Sequence, residues 1–232
     1  MPISIKDGIV NEKWVLPYDG EKITLDIQNT VHPHTLKISN QNGFDGNNPW
    51  DIFFRVLNEI VWFHGVKVSN IHGLYSEYCA SMNFVPSDDS YAIHMNHFEQ
   101  RVFTDAQHLA LGFFREGTSS GSTYYEFLCY AKILEIPFKN GKTKGTWIEQ
   151  QIPTLENELA RALRDRKPLF LNGKKLEDWL REDGRNALSH ANIQSKQTVR
   201  DPNSYRDWDE IKWGNTVMRE LALRAIRTLG VE

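Results

Sequence analysis

Thr104-Asp105-Ala106-Gln107-His108-Leu109-Ala110-Leu111-Gly112-Phe113-Phe114-Arg115 is where the hydrophobic period of the chain changes, and the fold class follows from that change. Thr104 and Gln107 have capping-box spacing, and Ala106, Leu109, Ala110, Phe113 and Phe114 share one helical face. Upstream the apolar residues alternate instead: Ile3-Ser4-Ile5-Lys6, Lys13-Trp14-Val15-Leu16, Ile23-Thr24-Leu25-Asp26-Ile27 and Leu36-Lys37-Ile38. Such alternation predicts half-buried antiparallel strands, with more expected in Val66–Ile71, Glu77–Val85 and Tyr91–Phe98. Between them Asn48 and Pro49 start a helix whose Trp50, Phe53, Phe54, Leu57, Ile60, Val61 and His64 form an apolar stripe that must pack on the sheet.

Downstream the helical pattern persists. The first helix is expected to end near Arg115, before a turn at 117–121, and Ser122 or Thr123 caps a second that runs to Glu135. Lys139-Asn140-Gly141-Lys142-Thr143-Lys144-Gly145 reads as a basic loop, and Thr146-Trp147-Ile148-Glu149 as the capping box of a third helix that Pro153 kinks or restarts. Leu176, Trp179 and Leu180 open a fourth, interrupted at Asp183-Gly184, and Trp213, Val217, Leu221, Ala225 and Leu229 mark a fifth. The expectation is an α+β protein: residues 1–103 form an antiparallel sheet with one packed helix, and residues 104–232 a four- or five-helix up-and-down bundle.

The chain has 232 residues, 40% hydrophobic and 25% charged, which excludes wholesale disorder. No apolar run is long enough to span a bilayer, and Met1–Lys6 lacks the layout of a secretory signal, so a cytoplasmic protein is expected, with no membrane partner. Cys79 and Cys129 have no CxxC companions and read as reduced, packed thiols. Residues 1–103 carry 7 Lys and Arg against 12 Asp and Glu, and residues 104–232 carry 20 against 18. Neither part has the excess of a duplex-coating protein, so any nucleic-acid contact rests on a local patch.

The segment richest in chemistry is Leu176-Glu177-Asp178-Trp179-Leu180-Arg181-Glu182-Asp183-Gly184-Arg185-Asn186-Ala187-Leu188-Ser189-His190-Ala191. A histidine that titrates near neutrality can move protons, and a guanidinium can hold phosphoryl oxygens. With these groups RNA can be cut by its own 2′-OH attacking the adjacent phosphate, without metal or cofactor. His190 and Arg185 suit those roles. Asn186 lies four residues before His190, where its amide can fix the ring or hold a phosphate. Arg185 and His190 are five apart, about 140° around a regular helix, so one helix does not focus both on one phosphate and a second copy is expected to supply the other group. Plainer roles exist: His190 as a helix-terminal dipole partner, and Arg185 paired with Glu182 or Asp183.

Arg185-Asn186 followed by His190 resembles the Arg-x4-6-His motif of the HEPN superfamily, and the helical surroundings are similar. The β-rich region ahead of the bundle resembles the ApeA-like and MauJ-like variants. The resemblance implies a HEPN-type endoribonuclease acting at the two-fold interface of a homodimer, in a toxin or antiviral defence setting, with an antitoxin or defence-system partner. It implies no cofactor. Asn192 stands where one branch of the superfamily has a Tyr, which argues against control by modification there. The alternative is a non-catalytic module that grips RNA, a nucleotide or a protein.

Arg161, Arg164, Arg166, Lys167, Lys174, Lys175 and Arg181 lead to the motif and could guide a phosphate backbone, with Lys139, Lys142 and Lys144 as further candidates. Glu156, Glu158, Asp165, Glu177 and Asp178 dilute that field. Single strands or loops fit best, because exposed bases can stack on Tyr205, Trp208 or Trp213. His32 and His34, and His94 and His97 near Asp88 and Asp89, suggest a metal site less well than an exposed strand end, and no metal is expected.

Overall fold

The computed structural model describes residues 12–18, 21–27, 34–39, 48–75, 79–86, 101–166, 169–189 and 199–231. The chain divides into two compact units, Met1–Thr104 and Asp105–Glu232. The architecture is α+β, with the strands in the first unit and a helical second unit.

Five antiparallel strands make the sheet of the first unit: β1 (Glu12–Tyr18), β2 (Glu21–Ile27), β3 (His34–Ser39), β4 (Val68–Tyr75) and β5 (Cys79–Pro86), in the order β1-β2-β3-β5-β4. Alternation sets the buried face: Ile23 and Leu25, Leu36 and Ile38, and Ala80, Met82 and Phe84 are all fully buried. Register follows, pairing Leu25 with Leu36 and Leu36 with Met82. Helix α1 (Pro49–His64) starts where Asn48 accepts from the Trp50 amide at 3.1 Å and ends at Gly65, whose left-handed φ of 66° lets its N–H reach the Val61 carbonyl. It buries Ile52, Phe53, Val56, Leu57, Ile60 and Val61, each worth roughly 1.5–3 kcal/mol. The helix meets the sheet where the Trp50 indole lies over Gly73, at a spot where a Cβ would run into the ring.

The second unit contains α2 (Asp105–Ser119), α3 (Thr123–Ile133), α4 (Gly141–Gln151), α5 (Glu158–Arg166), α6 (Leu176–Trp179), a π-helical segment (Leu180–Asn186), α7 (Ala187–Ser189) and α8 (Tyr205–Thr228). At its centre α3 packs between α2 and α8. Phe127, Tyr130 and Ile133 are fully buried there, as are Val217, Leu221 and Ala225 of α8. Gln107 donates its side-chain amide to the Leu229 carbonyl at 2.8 Å, which ties the start of α2 to the end of α8.

Several boundaries differ from those expected. Helix α2 continues to Ser119, with Gly117 so close to α3 that an added Cβ would come within 3.1 Å of the Cys129 Cβ. The basic stretch is helical, not a loop: Asn140 accepts from the Thr143 amide at 3.0 Å and starts α4 five residues before the expected capping box. Pro153 restarts rather than kinks, since Ile152–Thr154 form a 3-10 turn between α4 and α5. Gly184 does not interrupt its helix but gives close approach to Phe127. The strands expected at Ile3–Lys6 and Tyr91–Phe98 lie outside the described residues.

Two side chains are placed differently from the sequence reading. Cys129 is buried, and burial pushes its thiol up to about 11, whereas Cys79 is exposed rather than packed. His34 is not at an exposed strand end: it is buried in β3, edge-on to Phe84 at 5.5 Å, and burial lowers its pKa from 6.5. His32, His94 and His97 lie outside the described residues. The stability that the neutral His34 retains above pH 6.5 is lost as pH falls towards its lowered folded value. Denaturant melts at pH 7.5 and pH 5 are expected to show acid destabilisation of up to about 1.4 kcal/mol per pH unit across that window, removed in His34→Phe. An unchanged pH slope in the variant would refute the assignment.

Candidate functional site

The motif segment is wound as a π-helix over Leu180–Asn186, and the Ala187 amide reaches back to the Glu182 carbonyl. Single π-turns occur often at functional sites, because the extra residue re-aims everything that follows. The 140° separation of Arg185 and His190 presupposes a regular α-helix, and this segment is not one. His190 itself lies outside the described residues.

Two tight contacts hold the π-turn. Gly184 abuts the Phe127 ring, and Gly214 of α8 lies under Trp179, where a Cβ would come within 2.7 Å of the indole. The third restraint is Arg200, absent from every motif in the sequence. Its side chain is 5% exposed, and Nη1 donates to Asp207 at 2.9 Å and to Glu210 at 2.6 Å. Nε donates to the Asp183 carbonyl at 2.7 Å, inside the π-turn, and the Arg200 amide donates to the Ala187 carbonyl at 3.4 Å. The guanidinium also stands 5.5 Å over the Trp179 ring. No spacing in the sequence links residue 200 to residue 183; only the partly buried carboxylates of Asp207 and Glu210 at i, i+3 hint that a cation is needed there.

Arg185, so placed, is half exposed. It pairs with neither Glu182 nor Asp183. Nη2 donates to Glu135 just past α3 at 2.9 Å, and Nη1 donates to the Asn186 Oδ1 at 3.0 Å. Asn186 thus orients the guanidinium. Glu135 also faces Lys144 of α4 at 3.5 Å, so one carboxylate bridges α4 and the π-turn. Beside Arg185 opens a cleft of about 80 Å³ between the end of α3, α4, the π-turn and Met218 of α8.

The other basic candidates are mostly committed. Arg164 grips Asp165 and the Pro153 carbonyl, and its hydrogen bond holds the Asp165 carboxyl below the ordinary range. Lys174 is raised chiefly by its 2.6 Å bond to Asp183 and also meets Glu182 at 3.3 Å. Arg181 contacts Asp178 at 2.9 Å and Glu182 at 3.1 Å, and together with Lys174 it lowers the Glu182 pKa. Lys175 is 75% exposed, 3.8 Å from Glu177, and Arg161 is exposed. The Arg166 side chain and Lys167 lie outside the described residues. Of the aromatic candidates, Tyr205 is exposed and Trp213 less so, while Trp208 has Lys212 over its ring at 4.8 Å.

Fold and site define an α+β protein whose helical unit presents an oriented guanidinium at the lip of a small cleft. The chain belongs to the MauJ family: the family model described as methylamine utilization protein MauJ matches residues 110–227, just over half of the chain and most of the helical unit. No curated protein and no solved structure matches it. Among the described residues, no helix is long and apolar enough to cross a membrane.

Replacing Arg200 with Met takes the cation from the part-buried Asp207 and leaves Glu210 only the exposed Arg206 at 2.9 Å, and is expected to cost about 3 kcal/mol in urea unfolding, the lower end for a broken buried pair. Arg200→Lys recovers only part of this, because one ammonium cannot reach both carboxylates and the Asp183 carbonyl. A loss below about 1 kcal/mol in Arg200→Met would remove Arg200 from its role as anchor.

Proposed function

We propose that this protein is a HEPN-type, metal-independent endoribonuclease of the cytoplasm, acting on single-stranded or looped RNA as a toxin or antiviral defence effector. The observation that carries the reading is Arg185: a half-exposed guanidinium, oriented by Asn186 and Glu135 at the lip of a cleft, five residues before His190. In this mechanism His190 takes the proton of a ribose 2′-OH, the oxygen attacks the adjacent phosphate, and the 5′-oxygen leaves with a proton returned to it. Arg185 stabilises the charge on the phosphoryl oxygens. A phosphate entering the site competes with Glu135 for the guanidinium, so the resting ion pair sets a threshold for binding. Two copies complete the site, each contributing one of the two groups. An antitoxin or defence-system partner belongs to the same proposal, through the resemblance to HEPN proteins.

One observation favours a second reading, a non-catalytic module for RNA, a nucleotide or a protein. Among the described residues of the expected RNA track, Arg164, Lys174 and Arg181 are already paired with carboxylates, which weakens the field that would draw a long strand across the surface.

Purified protein incubated with mixed RNA in EDTA separates the two. The enzyme reading expects 2′,3′-cyclic phosphate ends, with cleavage falling about 10²–10⁴-fold in His190→Ala and about 10²–10³-fold in Arg185→Ala at unchanged circular dichroism. RNA retention without new ends, by protein whose RNA-binding surface is intact, selects the module. For the composite site, mixing the two inactive variants is expected to restore part of the activity, since a mixed dimer holds one intact pair. No restoration in verified mixed dimers would place both groups in one subunit.

A further inference from the structure

The cleft beside Arg185 has a composition that a phosphate site alone does not require. Its floor is apolar: Ala131, Leu134, Ile148, Leu180 and Met218. One wall is the α4 edge at Gly141 and Gly145, four residues apart, where an added Cβ would meet nothing within 4 Å. Its rim carries three carboxylates, Glu149, Glu177 and Asp178, together with Lys144 and Arg181 besides Arg185. Asp178 is bound to Arg181 at 2.9 Å, while Glu177 is 3.8 Å from Lys175, too far for a hydrogen bond.

Each feature restricts the occupant. A water needs roughly 10–15 Å³ of such space, so a cleft of about 80 Å³ takes one small ring system rather than a stacked pair. Apolar walls favour a flat face. Rim carboxylates accept hydrogen bonds from an N–H edge. Three cations line the cleft: Lys144 is drawn to Glu135, Arg181 to Asp178 and Glu182, and Arg185, oriented by Asn186, is the one the RNA reading assigns to the phosphate.

We propose that this cleft is a nucleobase pocket that takes the base whose 3′-phosphate meets Arg185, and that its carboxylate rim selects guanine. Guanine presents two adjacent donors, the ring N1–H and the exocyclic N2 amino group, which match the two oxygens of one carboxylate. Uracil presents a single N–H between two carbonyls, so it cannot give one carboxylate two hydrogen bonds. This inference rests on the RNA reading above and adds to it a base preference and a place for the base.

The test is calorimetric titration of the full-length protein with guanosine 3′-monophosphate, uridine 3′-monophosphate and inorganic phosphate, repeated with Gly145→Leu. Leucine fills the open space beside α4 and is a better helix former than glycine, so the fold is retained, as circular dichroism and the melting temperature check. The expected result is saturable guanosine nucleotide binding, about tenfold or more tighter than the uridine nucleotide. Gly145→Leu is expected to lose that binding by a similar factor while leaving the phosphate response unchanged. Equal affinity for both nucleotides and for phosphate overturns the pocket, as does full binding by Gly145→Leu. Absence of saturable binding by either nucleotide also overturns it. The two readings fail separately: guanosine nucleotide binding without RNA cleavage removes the nuclease and keeps the pocket, whereas cleavage indifferent to base and to Gly145→Leu does the reverse.

Discussion

A guanidinium almost without water organises the helical unit. Arg200 lies buried there, its charge offset by Asp207 and Glu210, and the Asp183 carbonyl takes a third hydrogen bond. That last bond matters most for what the molecule can do. A widened turn carries backbone groups out of α-helical register, and Arg200 satisfies one of them while Gly184 and Gly214 let Phe127 and Trp179 fill the space alongside. Arg185 follows Gly184 directly, so the direction of its side chain is inherited from this packing rather than from local propensity.

The charges near Arg185 form a nearly balanced set. Glu135 is shared by Arg185 and Lys144, Glu182 by Lys174 and Arg181, and Asp183 is held by Lys174. The exposed pairs among these, unlike that of the buried Asp183, contribute little to stability, generally under about 1 kcal/mol each. Their effect is on recognition, because an incoming anion must exchange with a carboxylate already in place. A surface so arranged discriminates by geometry more than by net charge, consistent with the small totals in both parts of the chain. Membership of the MauJ family applies to the helical unit, where the match lies, and the cleft is made entirely from that unit.

The architecture was largely legible in the sequence because burial leaves a period. The strands around Ile23, Leu36 and Met82, the stripe of α1 and the long α8 all declare themselves by spacing. What stayed hidden has no period. Helix α4 is legible from Thr146 onward, but its first residues, from Gly141, bury no side chain, so hydrophobic spacing does not reach them and the Asn140 cap is their local sign. The π-turn was read as a break at Asp183-Gly184 because a glycine admitted for close packing looks the same in sequence as one that ends a helix. In the site, Arg185 and Asn186 were visible as a motif, whereas Glu135, Lys144 and Arg200 reach it from 15 to 50 residues away through the tertiary fold.

Helix α4 has one more implication. Two glycines and two threonines among eleven residues, with no buried side chain, leave it held by its Asn140 cap, the Phe138–Trp147 ring contact at 5.1 Å, the reach of Lys144 to Glu135 and, at its far end, the 3.0 Å bond from Arg224 to Gln151. Its local opening free energy is therefore far below that of α3 or α8, and its amides exchange with solvent deuterium through excursions that leave the hydrophobic interior intact. One wall of the cleft is soft while the wall bearing Arg185 is rigid, so ligand size is accommodated on one side only, with the guanidinium as the fixed jaw of the vice.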